Sequence, residues 1–234
     1  KGGLNYNLTD NHNVFANVGY ISRAPFFSGG AFLQSTTSNL TNPDAVNENV
    51  FSAELGYGFR SRYFTANLNL YHTKWMNKTM SRGIDLKNGE GEFVDRISIN
   101  MSGVNAIHQG VELDFVAKPF NWLDIRGMFS LGHWRWNCDA KGYFYDSTGQ
   151  PVKSWTNQGE ITHASGIQAE DHASMTIHLN NTKVGNSAQT TSALGFDAKI
   201  TKSLSVGLDW NYYGRNYADW SFSSSDLVAN GEKS

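Results

Sequence analysis

The sequence predicts an all-β fold, an antiparallel transmembrane β-barrel of which about eight strands are present, and three observations carry that expectation. Four tight polar turns are each flanked by segments in which apolar and polar residues alternate, and long polar loops separate the four units. The alternating segments run to about 11–15 residues, beyond the 5–6 usual in globular strands and enough for a tilted membrane strand. Aromatic residues gather at the ends of the apolar faces, as Tyr57, Phe59 and Phe64 do beside one turn and Trp210 and Tyr212 at the far end of another, which suits interfacial girdles.

Each unit follows from the period of two that sends successive side chains to opposite faces. In the first, Leu4, Tyr6 and Leu8 alternate with Gly3, Asn5 and Asn7, and beyond Thr9 to Asn13 the apolar face resumes with Val14, Ala16, Val18 and Tyr20. In the second, Phe51, Ala53, Leu55, Tyr57 and Phe59 oppose Ser52, Glu54, Gly56 and Gly58; past Arg60 to Tyr63, Phe64, Ala66, Leu68 and Leu70 oppose Thr65, Asn67, Asn69 and Tyr71. The third sets Val111, Leu113, Phe115 and Ala117 against Glu112 and Asp114, turns at Lys118 to Asn121, and returns with Leu123, Ile125, Phe129 and Leu131 against Asp124, Arg126 and Ser130. The fourth sets Leu194, Phe196, Ala198 and Ile200 against Asp197 and Lys199, then Leu204, Val206, Leu208, Trp210 and Tyr212 against Ser205, Asp209 and Asn211.

A half-buried soluble sandwich alternates in the same way. Strand length and the asymmetry of turns favour the membrane barrel, whose periplasmic turns are short and extracellular loops long. All of residues 1–234 then belong to one barrel domain, with extracellular loops expected at about 24–47, 81–105, 137–188 and 218–234. Charged residues make up 17% of the chain, below the roughly 25% of soluble domains. No run of about 18 apolar residues is present, so a transmembrane helix is not expected. A formal net charge of −2 without any basic run gives no reason to expect a nucleic-acid partner. The chain opens in a strand and finishes in a polar stretch, so it reads as a section of a larger wall.

Residues of a family pattern lie in order along the first half. Gly19 to Phe26, with Arg23, Ala24 and Pro25, resembles the "S-x-x-F-R-A-P" stretch of TonB-dependent outer-membrane receptors. Asn42, Pro43 and Asp44, with Glu48 before Phe51 to Tyr57, resemble that family's "N-P-x-L-x-P-E … x-E-L-G" element, although Val46 and Asn47 depart from its commonest form. Gly110, Val111, Glu112 and Leu113 are similar to its "G-V-E-L" strand. The resemblance implies a barrel of about 22 strands with a plugged lumen, in the outer membrane of a Gram-negative bacterium. It further implies contact with outer-membrane lipid, a TonB energy-transducing complex as partner, and capture of a scarce ligand. The plug, a TonB-interacting box and an aromatic-ended closing strand are expected outside these residues. The cargo implied is an iron-siderophore, haem or a cobalamin-like corrin. The alternatives are an oligosaccharide or peptide importer working with a surface lipoprotein, and a passive porin or adhesin barrel.

Lumen-facing positions are expected at Glu54, Asn67, Asn69, Glu112, Asp114, Asp124, Arg126, Asp209 and Asn211, where polar groups meet water or a plug at no cost of desolvation into lipid. Glu112 and Asp114 are expected to line the wall together with Asp124 and Arg126 as a salt-bridge network. Ligand contacts belong on the loops, because exposed loop aromatics anchor flat or amphipathic ligands. The candidates are Phe26, Phe27 and Phe32 in the first loop and Tyr143, Phe144, Tyr145 and Trp155 in the longest, which could instead pack that loop around a hairpin turning at Asp146 to Gly149. His163 and His172 flank Glu170 and Asp171 in a spacing that fits no zinc motif. Asp85 to Asp95 read as a solvated hairpin tip and not as a calcium loop. No metal, no cofactor and no catalytic residue is expected: Cys138 reads as an incidental thiol, and neither a Gly-x-Ser-x-Gly elbow nor a phosphate-binding loop occurs.

Overall fold

The computed structural model describes residues 1–33, 40–156 and 158–219. Twelve strands follow one another: β1 (Gly2–Asn7), β2 (His12–Arg23), β3 (Glu48–Arg60), β4 (Phe64–Lys87), β5 (Phe93–Phe120), β6 (Leu123–Trp136), β7 (Ala140–Tyr145), β8 (Val152–Trp155), β9 (Ile161–His163), β10 (Ser174–Ile177), β11 (Ala188–Lys199) and β12 (Ser205–Asn216). The main sheet is antiparallel in the order β1-β2-β3-β4-β5-β6-β11-β12. Strand β7 pairs with an upper part of β5 and with β10, while β8 and β9 form a separate small hairpin.

The eight strands of the main path are those that alternation predicts, and their register sets apolar residues in rows across the sheet. Tyr6, Val14, Tyr57, Leu68, Leu113 and Phe129 stand opposite one another in succession. Leu4, Ala16, Leu55, Leu70, Val111 and Leu131 form the next row. Many of these side chains lie open instead of covered: Tyr6 is 68% exposed, Leu55 57% and Leu70 50%. A continuous apolar surface of this extent is foreign to a soluble monomer and normal for a wall that lipid covers. On β4, the outward apolar run starts at Phe64 and gives way to His72; on β5 and β6 it gives way to Gln109 and His133, which stand opposite each other in the same row. Nine residues from Phe64 to His72, counted inclusively, match the span of a tilted membrane strand.

The turns at the other end are short. Leu8 and Thr9 donate to the His12 carbonyl, Ser61 to that of Phe64, and Ile200 and Thr201 to that of Leu204. Phe120 and Trp122 stack at this end with ring centroids 5.4 Å apart, and Phe59, Phe64 and Phe115 continue the aromatic edge.

The long strands correct one expectation. Where a loop is expected over about 81–105, β4 and β5 continue as a paired ribbon of 24 and 28 residues, and only 88–92 turn. Register shifts between Trp75, Lys78 and Met80, together with Gly103 at φ +79°, break the period of two. Such bulges re-aim side chains. On the face that carries polar residues below, Ile84, Leu86, Ile97, Ile99, Met101 and Val104 now point inward to a core. The tip is closed by Asn88, whose Oδ1 accepts the Glu90 and Glu92 N–H groups at 3.0 and 2.8 Å, an arrangement of a solvated turn.

Where β6 and β11 part above the Leu131–Thr190 pair, a side chain replaces the missing strand partner. Gln189 is 1% exposed; its Oε1 accepts the Trp134 N–H at 3.0 Å and its Nε2 donates to the Trp134 carbonyl at 2.9 Å. Replacing it by leucine leaves the Trp134 N–H unpaired, while the Trp134 carbonyl keeps the Val184 N–H at 3.2 Å, so Gln189→Leu is expected to cost about 1–3 kcal/mol. The check is hydrogen exchange at the Trp134 amide, which should quicken in the variant while amides in the lower half of β6 keep their protection.

Candidate functional site

The residues of the family pattern build the base of the first loop. Arg23 and Glu48 are opposite partners where β2 and β3 end, and Arg23 Nε donates to Glu48 Oε2 at 2.7 Å. The Glu48 side chain is almost wholly buried, and the guanidinium also lies 4.5 Å from the centre of the Phe26 ring. Asn42 is buried as well: its Nδ2 donates to the Gly30 carbonyl at 2.9 Å and its Oδ1 accepts the Asp44 N–H at 3.0 Å, setting the turn through Pro43. Asn100 Nδ2 donates to the Gly29 carbonyl at 2.7 Å and ties the loop to β5. These residues therefore hold the loop's shape. Gly110 is covered by the Tyr71 ring, which leaves no room for a side chain there.

What the clamp presents outward is aromatic. Phe26 is 60% exposed and Phe27 66%, while Phe32 supports Phe27 from below with ring centroids 4.6 Å apart. The other group of candidates behaves differently. Phe144 is 0% exposed, Tyr145 3% and Trp155 4%. Phe144 lies opposite Ile99, its ring 5.2 Å from that of Trp155, within the core of Ile97, Met101 and Val152. The expectation that these three anchor a ligand gives way to one in which they fold the loop onto the β4–β5 ribbon, since apolar area withdrawn from water stabilises the cap. Tyr143 is half-buried, on the opposite face of β7 from Phe144.

The cap's polar groups are internally occupied. The hairpin turns at Asp146 to Gly149, with Gly149 at φ +85°. Burial pushes the Asp146 carboxyl up, yet hydrogen bonds from His163, the Gln150 N–H and Thr148 outweigh it and hold the group below the usual carboxylate range. His172 sits between the rings of Tyr143 and Tyr145, with Nδ1 2.6 Å from the Ile167 carbonyl and Nε2 2.8 Å from that of Phe144. Both of its nitrogens are thus engaged by backbone, which leaves none for a metal or haem. Burial raises the Tyr145 phenol above its ordinary value, with Asp44 adding to the shift. Cys138 accepts the Asn105 N–H at 3.1 Å, a packing role.

On the polar face, Asn67 donates to Asp114 at 2.9 Å and Asn17 to Glu54 at 3.2 Å. Asn69, Glu112, Asp124, Arg126, Asp209 and Asn211 share that face by register. The network expected among Glu112, Asp114, Asp124 and Arg126 is arranged otherwise. Arg126 stands opposite Val116 on one side and Gly195 on the other, so it reaches over the glycine to Asp197 at 2.7 Å and Asp209 at 3.6 Å. Asp124 pairs with Lys118 at 3.4 Å. The shared face follows from the period of two, whereas each charged partner depends on register. Sequence reasoning also passed over an aromatic group on this face, where His108 stacks on Trp134 at 5.2 Å and Trp134 Nε1 donates to the Tyr71 hydroxyl at 2.8 Å. The period of two extended past Gly110 and Gly132 would have placed all three together.

A sheet with one exposed apolar face, one polar face, short turns at one end and a folded rim at the other has the build of a section of an outer-membrane barrel wall. The family model described as TonB dependent receptor-like, beta-barrel, matches residues 1–230. The chain belongs to that family, one of receptors and not of enzymes. Solved structures similar to it include a double mutant of the ferric enterobactin receptor PfeA from Pseudomonas aeruginosa, 14% identical with a TM-score of 0.39. A single mutant of the same receptor is 16% identical with a TM-score of 0.38. In both cases the match covers 88% of this chain and 33% of the other, so the chain spans about a third of the length of those receptors. No curated protein matches it.

Proposed function

We propose that this wall serves a TonB-dependent receptor of the outer membrane that takes up a scarce nutrient, an iron-siderophore, haem or a cobalamin-like corrin. The observation that carries the proposal is the family match over a sheet whose two faces are sorted into lipid-exposed apolar rows and a polar lining. Cargo contact falls to Phe26 and Phe27, which the Arg23–Glu48 clamp holds open to solvent at the rim. A conjugated chelate or macrocycle presents flat apolar surface to such rings, and stacking stabilises the encounter by roughly 0.5–1.5 kcal/mol per aromatic contact. The polar lining, with Glu54, Asn67, Asn69, Glu112, Asp114, Asp124, Arg126, Asp209 and Asn211, faces the lumen in this proposal and meets a plug there. The TonB complex supplies the energy through parts of the protein beyond this section. Growth on ferric siderophore, haem or cobalamin as the limiting source tests it: deletion of the gene should abolish growth on one of them, and so should loss of TonB. Equal growth of all strains on every source would overturn it.

A further inference from the structure

Within the cap, His172 is 5% exposed and meets a hydrogen-bond acceptor at each ring nitrogen. Nδ1 lies 2.6 Å from the Ile167 carbonyl of its own segment, and Nε2 lies 2.8 Å from the Phe144 carbonyl of β7. A carbonyl oxygen can only accept, and a neutral imidazole has one N–H to give and one bare lone pair. In the neutral form one of the two contacts therefore sets lone pair against lone pair in a buried place, whereas the imidazolium donates at both. The ring centres of Tyr143 and Tyr145 lie 5.1 and 5.0 Å from that of His172, and aromatic neighbours favour a positive ring. The histidine joins separate pieces of the cap. Its own N–H donates to Ala169 and that of Ala173 to Val152 of β8, while its ring reaches β7.

We propose that the cap is a pH-sensitive latch keyed by His172, which holds the 165–173 segment across β7 as an imidazolium and releases it on losing the second proton. An opened segment exposes an ordinary histidine, which titrates at about 6.5. Closing the cap above that pH takes up a proton, so the latch contributes its full stability below about pH 6.5 and loses it as the pH rises beyond. The ionisable neighbours leave this window to the histidine. Asp146 is held below the usual carboxylate range and the Tyr145 phenol above its ordinary value, so neither changes charge there. The Ser165 N–H lowers Asp171 as well, and Lys153 of β8 lies 3.6 Å from it. Lys141 stands 4.9 Å from the centre of the Tyr143 ring, Asp44 acts on Tyr145 from the first loop, and Glu170 is exposed. Lysines and carboxylates ordinarily titrate outside the window. His163, paired with Asp146 at 2.9 Å, is a second histidine of the cap and serves as the control. The inference stands on the cap's geometry and is independent of what the receptor transports.

The test uses the full-length receptor in lipid nanodiscs, with its histidines labelled with nitrogen-15 and the signals of residue 172 identified by their loss in His172→Gln. At about pH 6 to 7 both ring nitrogens of His172 should give the resonances of protonated nitrogen. Hydrogen exchange, corrected for the intrinsic rate at each pH, then reads the opening of the cap. Protection of the Phe144, His172 and Ala173 amides should fall about tenfold between about pH 6 and pH 8, while amides of the main sheet keep theirs. His172→Gln has no second proton to lose and should show no such fall, at whatever level its cap is held, and His163→Gln should keep the fall. A bare ring nitrogen on His172 at about pH 6, or protection that does not change with pH, overturns the proposal. So does a fall that persists in His172→Gln and disappears in His163→Gln, which would assign the response to the His163–Asp146 pair.

Discussion

Leu68→Arg is expected to impair assembly of the wall by about 2–4 kcal/mol, whereas Asn67→Arg, one residue away, should be nearly neutral. Leu68 stands mid-strand in the row with Tyr57 and Leu113 and is open on the face without polar partners. A guanidinium there must be carried into hydrocarbon, where neither water nor a protein carboxylate can solvate it. Asn67 points the other way and already donates to Asp114, so an arginine at that position exchanges one partner of the same carboxylate for a stronger one. Folding yield into lipid vesicles, followed by protease protection, separates the two. A soluble sandwich buried on its apolar face would also suffer from Leu68→Arg, but it would fold without lipid. The membrane account therefore requires wild-type folding to depend on the vesicles.

Phe144→Ala should melt the cap at the rim while leaving the wall in place. The ring is fully buried between Ile99 and Trp155, and truncating such a phenylalanine costs about 3–5 kcal/mol in transfer and cavity terms. The loss is local because the core that Phe144 shares with Val152 and Met101 lies on the upper ends of β4 and β5, above the rows that hold the lower halves of the strands together. Limited proteolysis of whole cells should cut the variant between 146 and 173 and leave the wild type intact. If both resist equally, the loop is held by contacts other than this core.

The wall was legible because lipid imposes one rule on every strand, and rows such as Leu4, Ala16, Leu55 and Leu70 keep it without exception. The rim was not, for a physical reason. At Trp75 to Met80 and at Gly103 the period of two slips, and beyond the slip the face that had been polar becomes apolar. Alternation continues in Ile97, Ser98, Ile99, Asn100 and Met101, but its phase is inverted and its strand partner is distant in sequence. Among the aromatic candidates, composition could not tell Phe27, which stands in solvent, from Phe144, which anchors a core. That difference lies in pairing to Ile99, a tertiary fact. The family pattern marked Arg23, Asn42 and Glu48 without saying what they do, and their geometry shows a clamp at the base of the first loop. The segment expected as a loop from 218 onward falls mostly outside the described residues.

The central claim is that the exposed apolar face meets lipid. It is tested most directly by single cysteines at positions 66 to 71 in a Cys138→Ser background of the full-length receptor, each spin-labelled and reconstituted in bilayers. Collision with oxygen, which partitions into lipid, should be high at 66, 68 and 70 and low at 67, 69 and 71, with a water-soluble nickel complex giving the reverse phase. Accessibility without a period of two, or highest to the nickel complex at Leu68 and Leu70, would contradict the membrane wall.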